Sequence, residues 1–465
     1  MPMASLSRWT MSYFAAALAF LLAAEALAVA GIGYPAAGLS EPATLILVHL
    51  VAIGWLSLAM AGALLQFVPV LVSRPLAFPK LALPALFMLA IGLVLLCTGF
   101  ATLAGWIDAP LDLMPLGAVF LLCGFSLLGF MLVATLLSTR PVALFARFVL
   151  TGLACLAITA LSGTAFSTIL SGRSGWLGPV ALLPGGLPFH ALLGLGGWLG
   201  LIAFGVSYRL FVMFMIAPEP PARRVRPVLL VSGLGLALAF AGLVAPFASF
   251  EPGARWIAAV LVVLAAAGLF YGRDILALYR ARRRKALEIN MLASIPAFIA
   301  LGFGLALLPA AILAHAGDGP VAALVFLIAF GWLGGLTLAQ LVKIVSFVTW
   351  LETYAPRLGR GPAPRVGDLV AMPRTGRWFL LSYGGVLLGA ATLAIEAAAG
   401  FRLAMVLCLI GTAGLMVELV QIRRLSEIKA ADRPPAHERP QLLATRAEER
   451  RPVHVEARSL AHPRA

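Results

Sequence analysis

Charged side chains are scarce in this sequence of 465 residues: Asp, Glu, Lys and Arg together make up 11% of it, whereas 62% is hydrophobic. Soluble domains carry roughly 25% charged and roughly 45–50% apolar residues. Because so few polar side chains are available to cover a surface in water, the composition excludes a soluble globular protein. The mean hydropathy of +1.01 predicts that lipid covers much of the outer surface.

Cysteines and enzyme motifs are also few. The four cysteines, Cys97, Cys123, Cys155 and Cys408, all fall within apolar runs, and none forms the C-x-x-C pair typical of metal binding or thiol redox chemistry. The sequence has no glycine-rich phosphate loop, no G-x-S-x-G elbow and no H-E-x-x-H zinc motif. It therefore carries no signature of a soluble enzyme.

Long apolar runs, in contrast, fill most of the chain. A transmembrane helix needs about 20 apolar residues, and continuous runs favour helices over the alternating pattern of a β-barrel. We predict an all-α integral membrane domain over 1–424, with the first run an uncleaved span, and a disordered polar tail over 425–465. Its twelve predicted spans cover 9–31, 43–72, 80–106, 112–138, 143–169, 187–215, 226–248, 256–279, 290–314, 321–350, 377–399 and 402–422.

The positions of the basic residues predict the orientation. Of the 34 Lys and Arg residues, all but Arg173, Arg255 and Arg402 lie in the N-terminal segment, around the loops after spans 2, 4, 6, 8 and 10, or in the tail. Because basic residues are enriched in cytoplasmic segments, we expect a multi-pass protein of the bacterial inner membrane with both termini in the cytoplasm. This placement accounts for the net charge of +15, so we expect the lipid bilayer as a partner and no nucleic acid.

Spans 2, 6 and 10 share a local repeat. Each contains Gly-Trp-Leu, with its tryptophan at Trp55, Trp198 or Trp332, so the sequence recurs every four spans. Each also has a polar or basic residue eleven positions after the tryptophan, namely Gln66, Arg209 and Lys343. Such side chains near a helix end commonly extend to the membrane interface. The spacing divides the twelve spans into three sets of four.

The amino-acid sequences of these spans resemble those of a known protein family. Segments 48–75, 189–214 and 341–370 are similar to helices 2, 6 and 10 of short members of the haem-copper oxidase subunit I superfamily. The chain also resembles NnrS-type membrane proteins, which are tied to nitric-oxide metabolism and carry haem and copper. The resemblance implies a quasi-threefold 3 × 4 array of helices, a b-type haem or copper cofactor, and a redox partner in respiratory or nitric-oxide-related metabolism.

Three of the six histidines lie in or beside spans: His49, His190 and His315. In the predicted orientation all three are on the outer third of the membrane, which makes them candidate metal ligands. The resemblance implies that a histidine on helix 2 binds low-spin haem and that one on helix 6 binds copper, so His49 and His190 are the candidate cofactor ligands. Alternatively, each histidine has a structural role and forms a hydrogen bond to a neighbouring helix.

The chain lacks several of the histidines that the chemistry of the oxidases requires. The oxidase helix 7 carries a copper-ligating histidine pair and its helix 10 supplies haem ligands, but spans 7 and 10 of this chain contain no histidine. A complete oxygen-reducing binuclear centre is therefore not expected, and whether the protein is an enzyme stays open.

Two acidic residues in the outer half, Glu25 in span 1 and Glu396 in span 11, are candidates for proton handling or for a counter-charge to Arg402. Alternatively, these carboxylates have no functional role and extend to the membrane interface.

Two other function classes remain open. Twelve spans with both ends inside also describe many secondary transporters. The basic segment 279–285 and the tail could instead bind anionic lipid or a soluble partner, as in a non-catalytic assembly or sensor protein.

Overall fold

The computed structural model describes residues 7–173, 182–359 and 363–445, and every regular element within these ranges is a helix. Twelve helices are long and apolar enough to cross a membrane, which confirms the prediction of an all-α chain with twelve helices of spanning length. We number them α1 (Thr10–Val29), α2 (Pro42–Val72), α3 (Pro79–Leu103), α4 (Leu113–Leu137), α5 (Leu144–Leu170), α6 (Gly185–Met215), α7 (Ala222–Ala248), α8 (Ala254–Arg280), α9 (Ile289–Leu313), α10 (Asp318–Arg357), α11 (Met372–Ala394) and α12 (Ala398–Arg423).

Most helix bounds lie within a few residues of the predicted ones, but α11 begins five residues earlier, at Met372. Hydropathy alone places Arg374 outside the span. In the structure Arg374 lies in the first turn of α11, where its Nε is 2.5 Å from Glu418 Oε1 and its Nη2 is 2.8 Å from Glu427 Oε1. The helix can include this charge because two carboxylates pair with it.

The helices close into a ring around three central ones. Consecutive helices pack against each other, with α3 on α4, α7 on α8 and α11 on α12, and α1 packs on α12. Helices α2, α6 and α10 are the most buried: 61%, 61% and 56% of their most apolar windows are inside the protein, against 50% or less in the others. They therefore form the centre of the bundle.

Each central helix contains a π-helical segment, Leu50–Ser57 in α2, Leu192–Leu201 in α6 and Leu327–Gly334 in α10. Each segment contacts the other two and includes the tryptophan of its Gly-Trp-Leu sequence. The π-helix is rare in proteins and is often found at functional sites. The repeat seen in the sequence therefore has a shared backbone conformation.

The three tryptophans pack in a consistent direction around the centre. Each lies against the residue two positions after the tryptophan of another central helix. Trp198 Nε1 donates a hydrogen bond of 2.8 Å to Ser57 Oγ. A methyl group added at Gly200 would lie 3.2 Å from the Trp332 ring, and one added at Gly334 would lie 3.6 Å from Trp55 Nε1. Thus α6 contacts α2, α10 contacts α6, and α2 contacts α10 through equivalent positions.

The two ends of the described chain meet at one end of the bundle. Thr445 donates hydrogen bonds from Oγ1 to Ser7 O, at 2.6 Å, and from its backbone N–H to Arg8 O, at 2.9 Å. We call this end of the bundle, where α1 begins and α12 ends, the terminal face.

The tail predicted to be disordered begins at residue 425, and its first part, up to Thr445, lies against the terminal face. Leu425 and Ile428 are buried there, and Ser12 Oγ donates to Leu443 O at 2.6 Å. Apolar residues spread this thinly have no periodicity that reveals such packing. Residues 446–465 lie outside the described residues.

A buried ion pair joins α12 to α10 beneath this tail. Arg423 Nη1 lies 3.0 Å from Glu352 Oε2, and both side chains are only 3% exposed. Arg423 also donates to Thr349 Oγ1 at 3.1 Å and, from Nε, to Gln441 O at 3.1 Å. The guanidinium therefore ties two helices and the tail together.

Candidate functional site

His49 is the last residue before the π-helical segment of α2. Its Nδ1 lies 2.7 Å from Leu45 O, and its ring lies 5.2 Å from the ring of Phe100 on α3. Because a carbonyl oxygen can only accept, Nδ1 carries the proton in the neutral ring. That tautomer leaves a lone pair on Nε2, the arrangement found in metal-ligating histidines.

His190 is held by α5. Its Nδ1 lies 2.9 Å from Ser162 Oγ, and its ring lies 5.4 Å from that of Phe166. Ser162 Oγ also lies 3.1 Å from Thr159 O, and when the hydroxyl donates to that carbonyl its oxygen accepts from His190 Nδ1–H. In that tautomer the lone pair of this imidazole is also on Nε2.

These two histidines lie on contacting central helices, α2 and α6, although 140 residues lie between them in the chain, and both are half-buried. The sequence does not predict this pairing directly, because His49 precedes its tryptophan by six residues and His190 precedes its own by eight.

The third central helix has no histidine at the matching place. Phe326 of α10 precedes Trp332 by six residues, as His49 precedes Trp55. Its ring stacks on that of Phe330 at 4.6 Å and lies 5.6 Å from that of Phe401. Aromatic packing fills this position, so the histidine pair belongs to the α2–α6 side of the centre.

The donor set limits which cofactor fits. In the described part of the chain there is no group of three or more His, Cys, Asp or Glu side chains placed to hold a metal ion. Two imidazoles suit iron and copper. Haem iron takes two axial ligands from the protein at most, so two imidazoles match the ligand number of a haem or of a two-coordinate copper ion. The flanking Phe100 and Phe166 rings provide apolar surroundings.

His315 lies apart from the pair. It follows the end of α9, is exposed, and has a positive φ of 51° with Nδ1 3.2 Å from Leu313 O. Among the described residues no contact joins it to His49 or His190. The structure thus places two of the three candidate metal ligands on contacting central helices and leaves the third at the surface.

Glu25 is 2% exposed and lies inside the bundle. Its Oε1 accepts a hydrogen bond of 2.9 Å from Thr412 Oγ1 of α12, whereas Oε2 has no partner among the described residues. Arg402, considered as its counter-charge, instead donates from Nε to Val29 O at 2.8 Å. The carboxyl group of Glu25 is therefore held by a hydroxyl and not by a charge.

Glu396 occupies a different environment. It is exposed in the turn between α11 and α12, with a φ of 55°. Glu396 lies beside Tyr34, which belongs to the loop after α1. Burial of Tyr34 and the nearby carboxylate of Glu396 together raise the pKa of Tyr34 to about 12. The two candidate acids therefore do not form a common site.

The three polar residues that follow the tryptophans lie toward the terminal face, and each has a partner. Gln66 Oε1 accepts from Ser7 N at 3.0 Å, Arg209 pairs with Glu219, and Lys343 Nζ is 2.5 Å from Glu288 Oε2. Arg209 is largely exposed, as a residue that reaches the interface would be, but Gln66 and Lys343 are buried. The shared position therefore serves more than one purpose.

Sequence reasoning missed Ser162, Thr412 and Ser382, which hold or face the candidate groups. Their hydroxyls are common in membrane helices, where they usually bond to the backbone of their own turn, so the residue type carries little information. The density of Ser and Thr over 159–168 was the available indication on α5. Comparison of the sequence with protein-family models and with curated proteins found no match.

Proposed function

We propose that this chain is a haem-copper-oxidase-like membrane protein that holds one redox-active metal centre, a b-type haem or a copper ion, between His49 and His190. The observation that carries the proposal is the pair of imidazoles on two contacting central helices, each with Nδ1 engaged and Nε2 available. In the proposed orientation both termini are cytoplasmic and the pair lies toward the outer side of a bacterial inner membrane.

The arrangement of the helices supports the quasi-threefold array that this proposal includes. The contacts from one tryptophan to the next central helix use equivalent positions on α2, α6 and α10. The close pairs α3–α4, α7–α8 and α11–α12 also recur every four helices. Both features are expected of a bundle built from three sets of four helices.

The chemistry follows from the residues present. A haem or copper supplies one-electron transfer when bound. Leu45 and Ser162 orient the two rings, while Phe100 and Phe166 limit access of water to them. Helices α7 and α10 supply no histidine for a second metal, so the proposed role is electron transfer or binding of a small gas in respiratory or nitric-oxide-related metabolism, with a redox protein as partner.

The test is spectroscopy and metal analysis of the purified protein, with variants His49→Ala, His190→Ala and, as the matched control, His315→Ala. We expect a Soret band in the reduced-minus-oxidised spectrum, or a Cu(II) resonance in the oxidised protein. The first two variants should lose it and the third should keep it.

Ser162→Ala tests the orienting role separately. Because it removes the acceptor of His190 Nδ1–H but no ligand, it should weaken metal binding by about 10–100-fold, whereas Ser167→Ala on the same helix should not. Protein purified without haem or copper, and unable to take up either, would refute the metal centre and leave the fold unaffected.

A further inference from the structure

Four carboxyl side chains are buried in the part of the chain that the structure describes, and each is 3% exposed or less. Three of them lie 2.5–3.4 Å from a guanidinium nitrogen, in the pairs Asp274–Arg273, Glu352–Arg423 and Glu418–Arg374. The fourth is Glu25, whose Oε1 is bonded to Thr412 and whose Oε2 has no partner among the described residues. Because a buried charge is normally paired, Glu25 requires another means of neutralisation.

A small cavity lies beside Glu25, where α1, α2, α10, α11 and α12 meet. Its volume is about 20 Å³, and none of the residues that line it is basic. The other titratable side chains in the lining are Tyr383 of α11 and Cys408 of α12, whereas α2 and α10 contribute none. The hydroxyl of Tyr383 donates to Ala293 O at 2.7 Å, and neither side chain carries a positive charge. The surroundings of the carboxyl group therefore offer it no counter-charge.

An ionised carboxylate without a counter-charge is costly in an apolar interior, so Glu25 needs either a proton or a bound cation. The side-chain oxygens of Glu25, Ser382 and Thr412 are too few for Ca²⁺, which takes 6–8 oxygen ligands. Mg²⁺ usually keeps several of its waters, and a cavity of about 20 Å³ has no room for them. A proton is the ligand that fits.

The cavity also has the polar partners that one water needs. A cavity of roughly 10–15 Å³ or more can hold a water that has two to four polar partners. Glu25 Oε2 and Ser382 Oγ are both buried and have no hydrogen-bond partner among the described residues. The two lie at the same level of α12, because Glu25 is bonded to Thr412 and a methyl group on the preceding residue, Gly411, would clash with Ser382 Oγ.

We propose that Glu25 and this cavity form a binding site for one proton and one water molecule. Glu25 is a neutral carboxylic acid: its Oε1 accepts from Thr412 Oγ1, its Oε2–H donates to the water, and the water donates to Ser382 Oγ. The site joins α1 to α12 directly and to α11 through the water, at the place where the ring of helices closes. It does not depend on a metal at His49 and His190.

Infrared spectroscopy of the full-length protein at neutral pH, in a detergent that has no carbonyl group, tests for the proton. Exposed carboxyl groups have pKa values of about 4 and are ionised at this pH, so a carbonyl band of a carboxylic acid reports a buried, neutral acid. We expect this band in the wild type and its loss in Glu25→Gln. Asp274→Asn is the matched control, because Asp274 is equally buried but lies beside Arg273, and it should keep the band.

Two variants that keep Glu25 test the rest of the site, so the test does not depend on the folding of Glu25→Gln. Thr412→Val removes the donor to Oε1 and should shift the acid band to higher wavenumber. Ser382→Val removes a partner of the water and fills part of the cavity, so it should abolish a sharp O–H stretching band that shifts in H₂¹⁸O. Ser167→Val is the control, because Ser167 is a buried serine whose Oγ donates to Thr164 O of its own helix, and it should leave both bands unchanged. Circular dichroism identifies the variants that fold.

Four outcomes would overturn the proposal. A wild type without an acid band would show that Glu25 is ionised. A band that survives in Glu25→Gln, or is lost in Asp274→Asn, would show that another carboxyl group holds the proton. An acid band that disappears in sodium chloride but not in choline chloride would make this a sodium site. An O–H band that is missing from the wild type, or persists in Ser382→Val, would show that this cavity holds no water.

Discussion

Replacing Trp198 with phenylalanine removes one hydrogen bond from the centre of the bundle, the 2.8 Å bond from Nε1 to Ser57 Oγ. Trp332 is the matched comparison, because it is equally buried in the same repeat but its Nε1 has no hydrogen-bond partner among the described residues. Both substitutions delete the same atoms from a packed interior, so the loss of ring packing is similar in the two variants.

The difference between the variants therefore reports on the indole N–H. Hydrogen bonds between membrane helices contribute about 0.6 kcal/mol on average and up to about 1.7 kcal/mol. Trp332→Phe breaks no such bond and removes a buried donor whose lack of a partner costs about 1–3 kcal/mol. We expect Trp198→Phe to lower the free energy of unfolding by about 2 kcal/mol more than Trp332→Phe does.

The assay is equilibrium unfolding of the purified protein in mixed micelles with increasing sodium dodecyl sulfate, followed by circular dichroism because the substitutions alter tryptophan fluorescence. Ser57→Ala in each background completes a double-mutant cycle, with coupling expected to Trp198 and none to Trp332. Equal destabilisation by the two tryptophan substitutions, without coupling to Ser57, would refute the reasoning.

Two further predictions concern packing and charge. Gly117→Ala should separate α3 from α4 and lower the unfolding temperature, because its methyl group would lie 2.6 Å from Leu96 N and 2.7 Å from Gly92 O, whereas Gly129→Ala on the same helix meets nothing within 4 Å and should be tolerated. An equal effect of the two would contradict the close approach of these helices. Glu352→Gln should lower the free energy of unfolding by about 3–5 kcal/mol, because it leaves the Arg423 charge buried and unpaired. The double variant with Arg423→Met should recover part of that loss in the same unfolding assay, and no recovery would argue against the ion pair as the cause.

The spans were predictable because each apolar run must match the thickness of a bilayer, whatever its neighbours are. The start of α11 was not, since the basic residue in its first turn becomes acceptable only through Glu418 and Glu427, which lie more than forty residues later. Hydropathy treats a charge in isolation, but the helix end depends on what pairs with that charge.

The histidines illustrate the same limit at the candidate site. Their presence on spans 2 and 6 follows from the sequence, yet their different offsets from the repeated tryptophans argue against equivalent positions. Both offsets are measured across the start of a π-helical segment, where the angle between successive side chains differs from that of an α-helix. Which way each ring points is set by Leu45 and Ser162, and neither residue is distinctive on its own.

The contact between α1 and α12 places a condition on how the protein is made. Glu25 is positioned by Thr412, 387 residues further along the chain. Ribosomes add about 5–20 residues per second, so α1 waits for about 20–80 seconds in the bilayer before its partner helix is synthesised. During that interval the carboxyl group of Glu25 lacks its hydroxyl donor, and the ring cannot close. The contact between α1 and α12 can therefore form only after all the helices between them have been synthesised.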